Sequence, residues 1–194
     1  MSAALPTLIE LQRLKRLDRT GWTLRGLPNG TESVASHSFG VAITAMFLAD
    51  ELLERGVGID VEKVLRLALI HDWAETRVGD MPKTATEYFG SENRKQAESA
   101  AFEDIVKSLH GRLKYIALHH EYERRESLEA KLVKAADVLD LLVQVLALER
   151  AGARGLDEFW EVTQNPSFNL DQQGTAVVSE FIESVLEARK RLTT

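Results

Sequence analysis

Apolar positions recur at helical spacing along nearly every long segment of the chain, and no stretch shows the strict alternation, rich in Val, Ile and aromatics, that marks a strand. The pattern predicts an all-α protein. A first amphipathic helix is predicted from Leu5 to Leu17, with Leu5, Leu8, Ile9 and Leu14 on one side. It ends in the longest cluster of breakers in the chain, Arg19 to Ser36, which holds Gly21, Gly26, Pro28, Asn29 and Gly30. Ordered loops of that length in compact domains are often functional. A second helix starts at Ser36, a good N-cap, and continues through Phe39, Ala42, Ile43, Met46, Phe47 and Leu53 to the stop at Gly56 and Gly58. A third, capped by Asp60, carries Val61, Val64, Leu65, Ala68 and Leu69 into His71 and Asp72. After the interruption at Gly79, Asp80 and Pro82, helices are predicted at 92–109, 112–124, 128–148 and, beyond a turn at Gly152 and Gly155, at 175–192. No internal repeat and no linker divides the chain, so residues 1–194 are expected to form one compact helical domain.

Composition narrows the class. The 194 residues are 44% apolar and 28% charged, an ordinary globular balance that excludes collagen-like, disordered and low-complexity chains. The length suits a single hydrophobic core. Cysteine is absent, which removes disulfides, thiolate zinc sites, iron–sulfur clusters and cysteine nucleophiles together. Any metal must therefore be held by His, Asp or Glu. With 24 basic against 30 acidic residues the net charge is -6, too negative for a chain that neutralises many phosphates along a nucleic acid polymer. A local basic pocket for one small phosphate remains open. The longest apolar run, Val41 to Ala49, is broken by Thr44 and falls well short of a membrane span. The opening MSAALPTLIELQRLKRL lacks the basic-then-apolar order of a secretory signal, so a cytoplasmic protein without a membrane partner is expected.

Among the five histidines, His71 is the informative one. It follows the apolar run LRLALI and precedes Asp72, placing an imidazole and a carboxylate together at the inner end of a core-packing helix. Burying a carboxylate costs several kcal/mol unless it is paired or bound to a metal. A helix C-terminus welcomes His but opposes Asp, so simple capping accounts for only half of the dipeptide. Asp137 lies in KLVKAADVLDLLVQVL, four residues after Val133 and four before Leu141, which puts its carboxylate on the apolar stripe of a core helix. His37 opens another apolar helix. His37, His71, Asp72 and Asp137 together offer two imidazoles and two carboxylates from three helices, enough for one divalent cation with about two positions left for water or substrate. Mixed nitrogen and oxygen donors suit Mn, Co, Mg, Fe, Ni or Zn, and the sequence does not choose among them. Glu75 stands three residues after Asp72 and four after His71, so on a continuing helix it shares their face.

The order His, His-Asp, Asp at these separations resembles the HD-domain metal-dependent phosphohydrolases, and the flanking segments resemble one branch of them, the HD-domain 5'-deoxynucleotidases. The matching pieces are RTGW at Arg19 to Trp22, ESVASHSFGVA from Glu32, ALIHDWAE from Ala68, GDMPKTATEYF from Gly79, HEYERRESLEAKLVKAADVLD from His120, and Gln144. The resemblance spans about residues 8–150 and leaves 151–194 as a helical segment without a motif. It implies an HD-domain helical bundle with His37, His71, Asp72 and Asp137 as metal ligands and Glu75 as a catalytic carboxylate, acting as general base on a water or general acid toward the departing 5'-oxygen. It also implies a phosphate-binding Arg19, a sugar-facing Trp22 whose rigid indole excludes a 2'-hydroxyl, and an Asp80 that contacts the sugar. In some members the Arg immediately precedes the Trp, whereas three positions separate Arg19 from Trp22, which leaves Arg25 as an alternative phosphate ligand. The position before His37, often acidic in relatives, is Ser36, so the carboxylate that would orient the imidazole is expected to be missing. Ala135 and Ala136 precede Asp137 where a relative can carry another acid, which favours one metal over two. His119 and His120 have no partner carboxylate at ligand spacing and are expected to be packing or surface residues.

The implied activity is metal-dependent hydrolysis of deoxyribonucleoside 5'-monophosphates by a homodimer, to which the Leu- and Val-rich helix 128–148 contributes either an interface or core packing. Two alternatives belong to the same superfamily. Guanosine tetraphosphate hydrolases usually show HDxxED, whereas Glu75 is followed by Thr76. Triphosphohydrolases carry added basic residues that this acidic chain lacks. The alternative of another class is a helical module that binds a nucleotide without turnover.

Overall fold

The computed structural model describes residues 3–192, and among them every regular element is helical. The expected all-α class is observed. Helices α1 (Leu5–Leu11), α2 (Thr20–Thr23), α3 (Val34–Glu54), α4 (Val61–Ile70), α5 (Glu75–Val78), α6 (Lys83–Phe89), α7 (Ser91–Val106), α8 (Arg112–Arg124), α9 (Leu128–Arg150), α10 (Asp157–Trp160) and α11 (Gln172–Lys190) follow in order. A single bridge pairs Asp18 with Ser33.

Local chemistry sets the boundaries. The first predicted helix stops at Leu11 and tightens into a 3-10 turn, Gln12–Lys15. The second begins two residues earlier than expected, because Ser33 and not Ser36 is the cap: Ser33 Oγ accepts from Ser36 N at 3.1 Å. Asp60 caps α4 as predicted, its Oδ1 accepting from Lys63 N at 3.0 Å. Ser127 and Asp171 do the same for α9 and α11. The predicted loop from Arg19 to Ser36 contains the short helix α2 and is closed at its base by Arg19 N donating to Glu32 O (3.0 Å) and Val34 N to Leu17 O (2.8 Å). Gly26 and Gly30, at φ +79° and +82°, supply left-handed turns that other residues adopt only with strain.

Contacts divide the chain into two compact units. The first comprises the described part of Met1–Ser38 together with Leu69–Arg124. Its core is carried by α7 and α8, with Ala101, Phe102, Ile105, Val106, Leu118 and Tyr122 buried. Thr7 fastens α1 to α7 by donating to Ile105 O at 2.9 Å. The second unit comprises Phe39–Ala68 and Arg125–Thr194, again in its described part. Its central element is α9, which buries Leu132, Val133, Ala135, Ala136, Leu139, Leu142 and Val145, so the apolar stripe noted at 128–148 serves the core. Gly40 permits close approach to α9, since a Cβ there would collide with the Asp140 carboxylate.

The segment beyond residue 150, which carries no readable motif, has a structural purpose within the second unit. Arg189 of α11 donates to Glu149 Oε2 (3.0 Å) and Oε1 (2.9 Å), and its guanidinium lies 4.5 Å from the Trp160 ring centroid. Trp160 Nε1 donates to the same Glu149 at 3.1 Å. A two-toothed arginine-carboxylate pair stacked on an indole holds its geometry better than an isolated surface pair. Arg189→Ala is expected to destabilise the protein by about 2 kcal/mol, the scale of hydrogen bonds to charged groups. For a chain of this size that lowers Tm by about 4–8 °C, readable in a thermal melt, while a shift within 1 °C would show the cluster to be incidental.

Candidate metal centre and phosphate site

The first unit gathers His37, His71 and Asp72. His37 lies one turn into α3, its backbone N–H bonded to Ser33 O at 3.0 Å. His71 and Asp72 follow the end of α4 at Ile70, where the chain tightens into successive three-residue turns: Trp73 N to Ile70 O, Glu75 N to Asp72 O and Thr76 N to Trp73 O, each at 3.1 Å. The helix therefore does not continue through Glu75, which opens the separate short helix α5. Glu75 is buried all the same, at 7% exposure.

Asp72 Oδ2 stands 3.1 Å from His71 Nε2 and 3.8 Å from His37 Nε2, and the ligand atoms of the three residues lie within 4.8 Å of one another. The two imidazoles meet edge-on at 5.6 Å between centroids, and Tyr122 also packs edge-on against His71 at 5.6 Å. The donor set fits a divalent cation. Asp72 Oδ2 and Glu75 Oε2 are buried oxygens with no hydrogen bond among the described residues. Two ring nitrogens and a carboxylate oxygen so close together can each turn a lone pair to one cation. Burial pushes the Asp72 carboxyl up, but the neighbouring His71, His37 and Arg19 outweigh it and hold the group well below the usual carboxylate range. Glu75 goes the other way. Burial, then the negative charges of Asp72 and Asp80, push its carboxyl well above the ordinary value, with Arg19 offsetting only part.

Arg19 sits at this cluster with its Nη1 2.9 Å from Asp80 Oδ1 and 3.8 Å from Asp72 Oδ2. Asp80 anchors the loop as well: its Oδ2 accepts from Thr20 N at 2.6 Å, and its carbonyl accepts from Thr20 Oγ1 at 2.6 Å. Trp22 is enclosed at 1% exposure, and its Nε1 donates to Glu32 Oε2 at 2.6 Å. Of the residues singled out in the sequence, His37, His71, Asp72, Glu75, Arg19, Asp80 and Trp22 belong to this unit. Asp137 lies on α9 in the second unit, where Lys134 Nζ donates to its Oδ2 at 2.6 Å.

Two neighbours of the site escaped sequence reasoning. Tyr122 was quoted within the segment from His120 without a role. Glu32 was quoted in a motif without a role, yet a carboxylate oxygen of it lies within 4.8 Å of a His37 ring nitrogen. An acid thus lies near His37 although Ser36, which precedes it, is exposed and pairs with Ser33 at 2.9 Å. His119 is a packing residue, 1% exposed and stacked on Phe102 at 4.2 Å, and His120 is surface-facing at 3.7 Å from Glu103.

An all-helical chain that brings a His-Asp pair from a helix end against a second histidine defines a class, and the comparisons name it. The chain belongs to the HD domain family, whose profile matches residues 11–172. It is similar to 5'-deoxynucleotidase HDDC2 of Xenopus laevis, 34% identical over 155 residues that cover 78% of this chain and 73% of the relative. It is also similar to 5'-deoxynucleotidase hdd1 of Schizosaccharomyces pombe, 31% identical over 199 residues that cover 96% of this chain and 90% of the relative. A solved structure of a conserved hypothetical protein from Pyrococcus furiosus matches with a TM-score of 0.81 at 38% identity, covering 93% of this chain and 98% of that one.

The raised Glu75 carboxyl has a measurable consequence. In the metal-free protein the folded state keeps this proton to higher pH than the unfolded chain, whose carboxyl titrates near 4.5. Folding stability contributed by the group is therefore present at low pH and lost as pH rises from there toward the folded value. Glu75→Gln removes that loss. Thermal melts in chelator are expected to show the variant gaining on the parent as pH rises from about 5 to 8, whereas a variant that loses ground over that range would mean the carboxylate is ionised and well paired.

Proposed function

We propose that this chain is a metal-dependent 5'-deoxynucleotidase that hydrolyses deoxyribonucleoside 5'-monophosphates to deoxynucleoside and inorganic phosphate. The observation that carries the reading is the phosphate-side Arg19 guanidinium beside the His37, His71 and Asp72 cluster, in a chain whose relatives over most of its length are 5'-deoxynucleotidases. The family pattern matches Asp137 as a fourth ligand, and one divalent ion is proposed. Such an ion supplies fixed positive charge that acidifies water and compensates the phosphoryl oxygens.

The chain's own residues do the rest. Arg19, pinned by Asp80, aims its remaining N–H groups at the phosphate. Glu75, protonated more readily than an ordinary carboxylate, handles the proton: as water oxygen bonds to phosphorus and the bond from phosphorus to the 5'-oxygen breaks, one proton leaves the water and one ends on the 5'-oxygen. Asp80 has lone pairs beyond those engaged by Arg19 and Thr20, and these are available to a sugar hydroxyl. Trp22, locked by Glu32, forms a rigid wall against which a 2'-hydroxyl finds no room. The match over residues 11–172 runs through both compact units and supports reading the chain as one HD domain. We place the enzyme in the cytoplasm, where a cysteine-free chain needs no oxidising compartment, and no helix among the described residues is long and apolar enough to cross a membrane. A homodimer is supported by Phe39 and Phe47, 68% and 56% exposed and eight residues apart on α3.

The test is phosphate release from paired 2'-deoxy and ribonucleoside 5'-monophosphates after chelation and restoration of Mn, Co or Mg singly. Release from the deoxy substrates is expected to return with metal, to be absent in Asp72→Ala and to fall by about a hundredfold or more in Glu75→Ala, the scale of a lost acid-base group. A folded parent that releases no phosphate with any metal would sink the reading and direct attention to tri- and tetraphosphates or to binding without turnover.

A further inference from the structure

We propose that Glu32 is a positioning residue that serves both halves of the site at once, orienting the His37 imidazole for the metal with the same carboxylate that locks the Trp22 indole. The inference rests on the metal-centre reading above and adds a residue and a coupling to it. Three contacts of one residue carry it. The Glu32 carboxylate accepts from Trp22 Nε1 at 2.6 Å, one of its oxygens lies within 4.8 Å of a His37 ring nitrogen, and its backbone carbonyl accepts from Arg19 N at 3.0 Å. The residue is 7% exposed, Trp22 and His37 1% each.

A carboxylate is not kept in such a place without compensation, because desolvation costs several kcal/mol. The indole N–H satisfies part of that demand. An imidazole whose far nitrogen binds a cation satisfies more, since the ring then becomes a stronger donor toward the carboxylate, and the carboxylate in turn fixes the tautomer and raises the basicity of the coordinating nitrogen. His37 Nε2 faces Asp72 Oδ2, which leaves Nδ1 as the nitrogen to be oriented. Because both demands fall on one carboxylate, filling the metal site alters the acceptor seen by Trp22. The base-loop bond from Arg19 N places the phosphate-side residue on the same support.

The test measures metal binding and the indole separately from turnover. Mn binding to parent, Glu32→Gln, Glu32→Ala and Trp22→Phe is titrated calorimetrically, and the Trp22 indole N–H resonance, identified by its absence in Trp22→Phe, is followed as the diamagnetic ion Zn is added. Glu32→Gln is expected to weaken Mn binding by about tenfold or more, as loss of a partner to a ligating histidine does, while its amide oxygen keeps the Trp22 resonance at a hydrogen-bonded position. Glu32→Ala is expected to lose both. Trp22→Phe, which leaves the carboxylate in place, is expected to bind Mn within about threefold of the parent, against the tenfold scale above. In the parent, saturation with Zn is expected to move the Trp22 resonance. Glu32→Gln binding Mn as tightly as the parent, or a Trp22 resonance unmoved at saturating Zn, would overturn the inference, and the second measurement needs no variant of Glu32 to fold. A parent that binds neither ion would instead overturn the metal-centre reading itself.

Discussion

Two imidazole nitrogens and one carboxylate oxygen are held within a few ångströms of one another, the histidines buried and Asp72 partly so, and the first unit is organised around the cation this arrangement invites. A neutral imidazole can meet Asp72 with its N–H or with its lone pair, and a cation among the three groups would let both rings and the carboxylate turn lone pairs inward. Around the cluster stand groups that fix rings and not charges: Tyr122 against His71, and Glu32 near His37. Ligands prepared in this way lose little freedom when they bind, which is where a folded site gains affinity over the same residues in a flexible chain.

The elements that place these groups were legible because their signals are local. Helical spacing and the Asp60 cap predict α4, and the apolar run ending in His71-Asp72 marks the site at its end. The face-sharing argument for Glu75 failed in its premise, since α4 stops at Ile70 and Glu75 starts α5. The side chain is nevertheless buried, because consecutive three-residue turns keep the chain winding in the same direction. Periodicity detects winding and does not distinguish one helix from two joined by tight turns.

What escaped was set by contacts between residues distant in sequence. Ser33 displaced Ser36 as cap by a preference that both residue types share, so composition had no means of choosing. Glu32 needed knowledge of where Trp22 would turn, and that depends on a loop closed by Arg19 and Val34 backbone bonds that no spacing rule encodes. Asp80 read as a sugar contact and proves first to be an anchor, engaged by Arg19 and by Thr20. An acid in a Gly-Asp-Met-Pro turn carries no sign of whether its carboxylate points to solvent, substrate or a neighbouring guanidinium.

The charge of the site sets a condition on any anion that enters it. Asp72, Glu75 and Asp80 lie together against Arg19, and Glu98 adds a further buried carboxylate, paired with Arg94 at 2.7 Å, so the pocket is acidic within an already acidic chain. A phosphate dianion approaching these carboxylates is repelled unless a cation is shared between them, which makes metal and phosphate binding mutually reinforcing: each lowers the electrostatic cost of the other, and by linkage by the same amount. The cluster of His37, His71 and Asp72 is thus a site where a phosphate would wait on a cation.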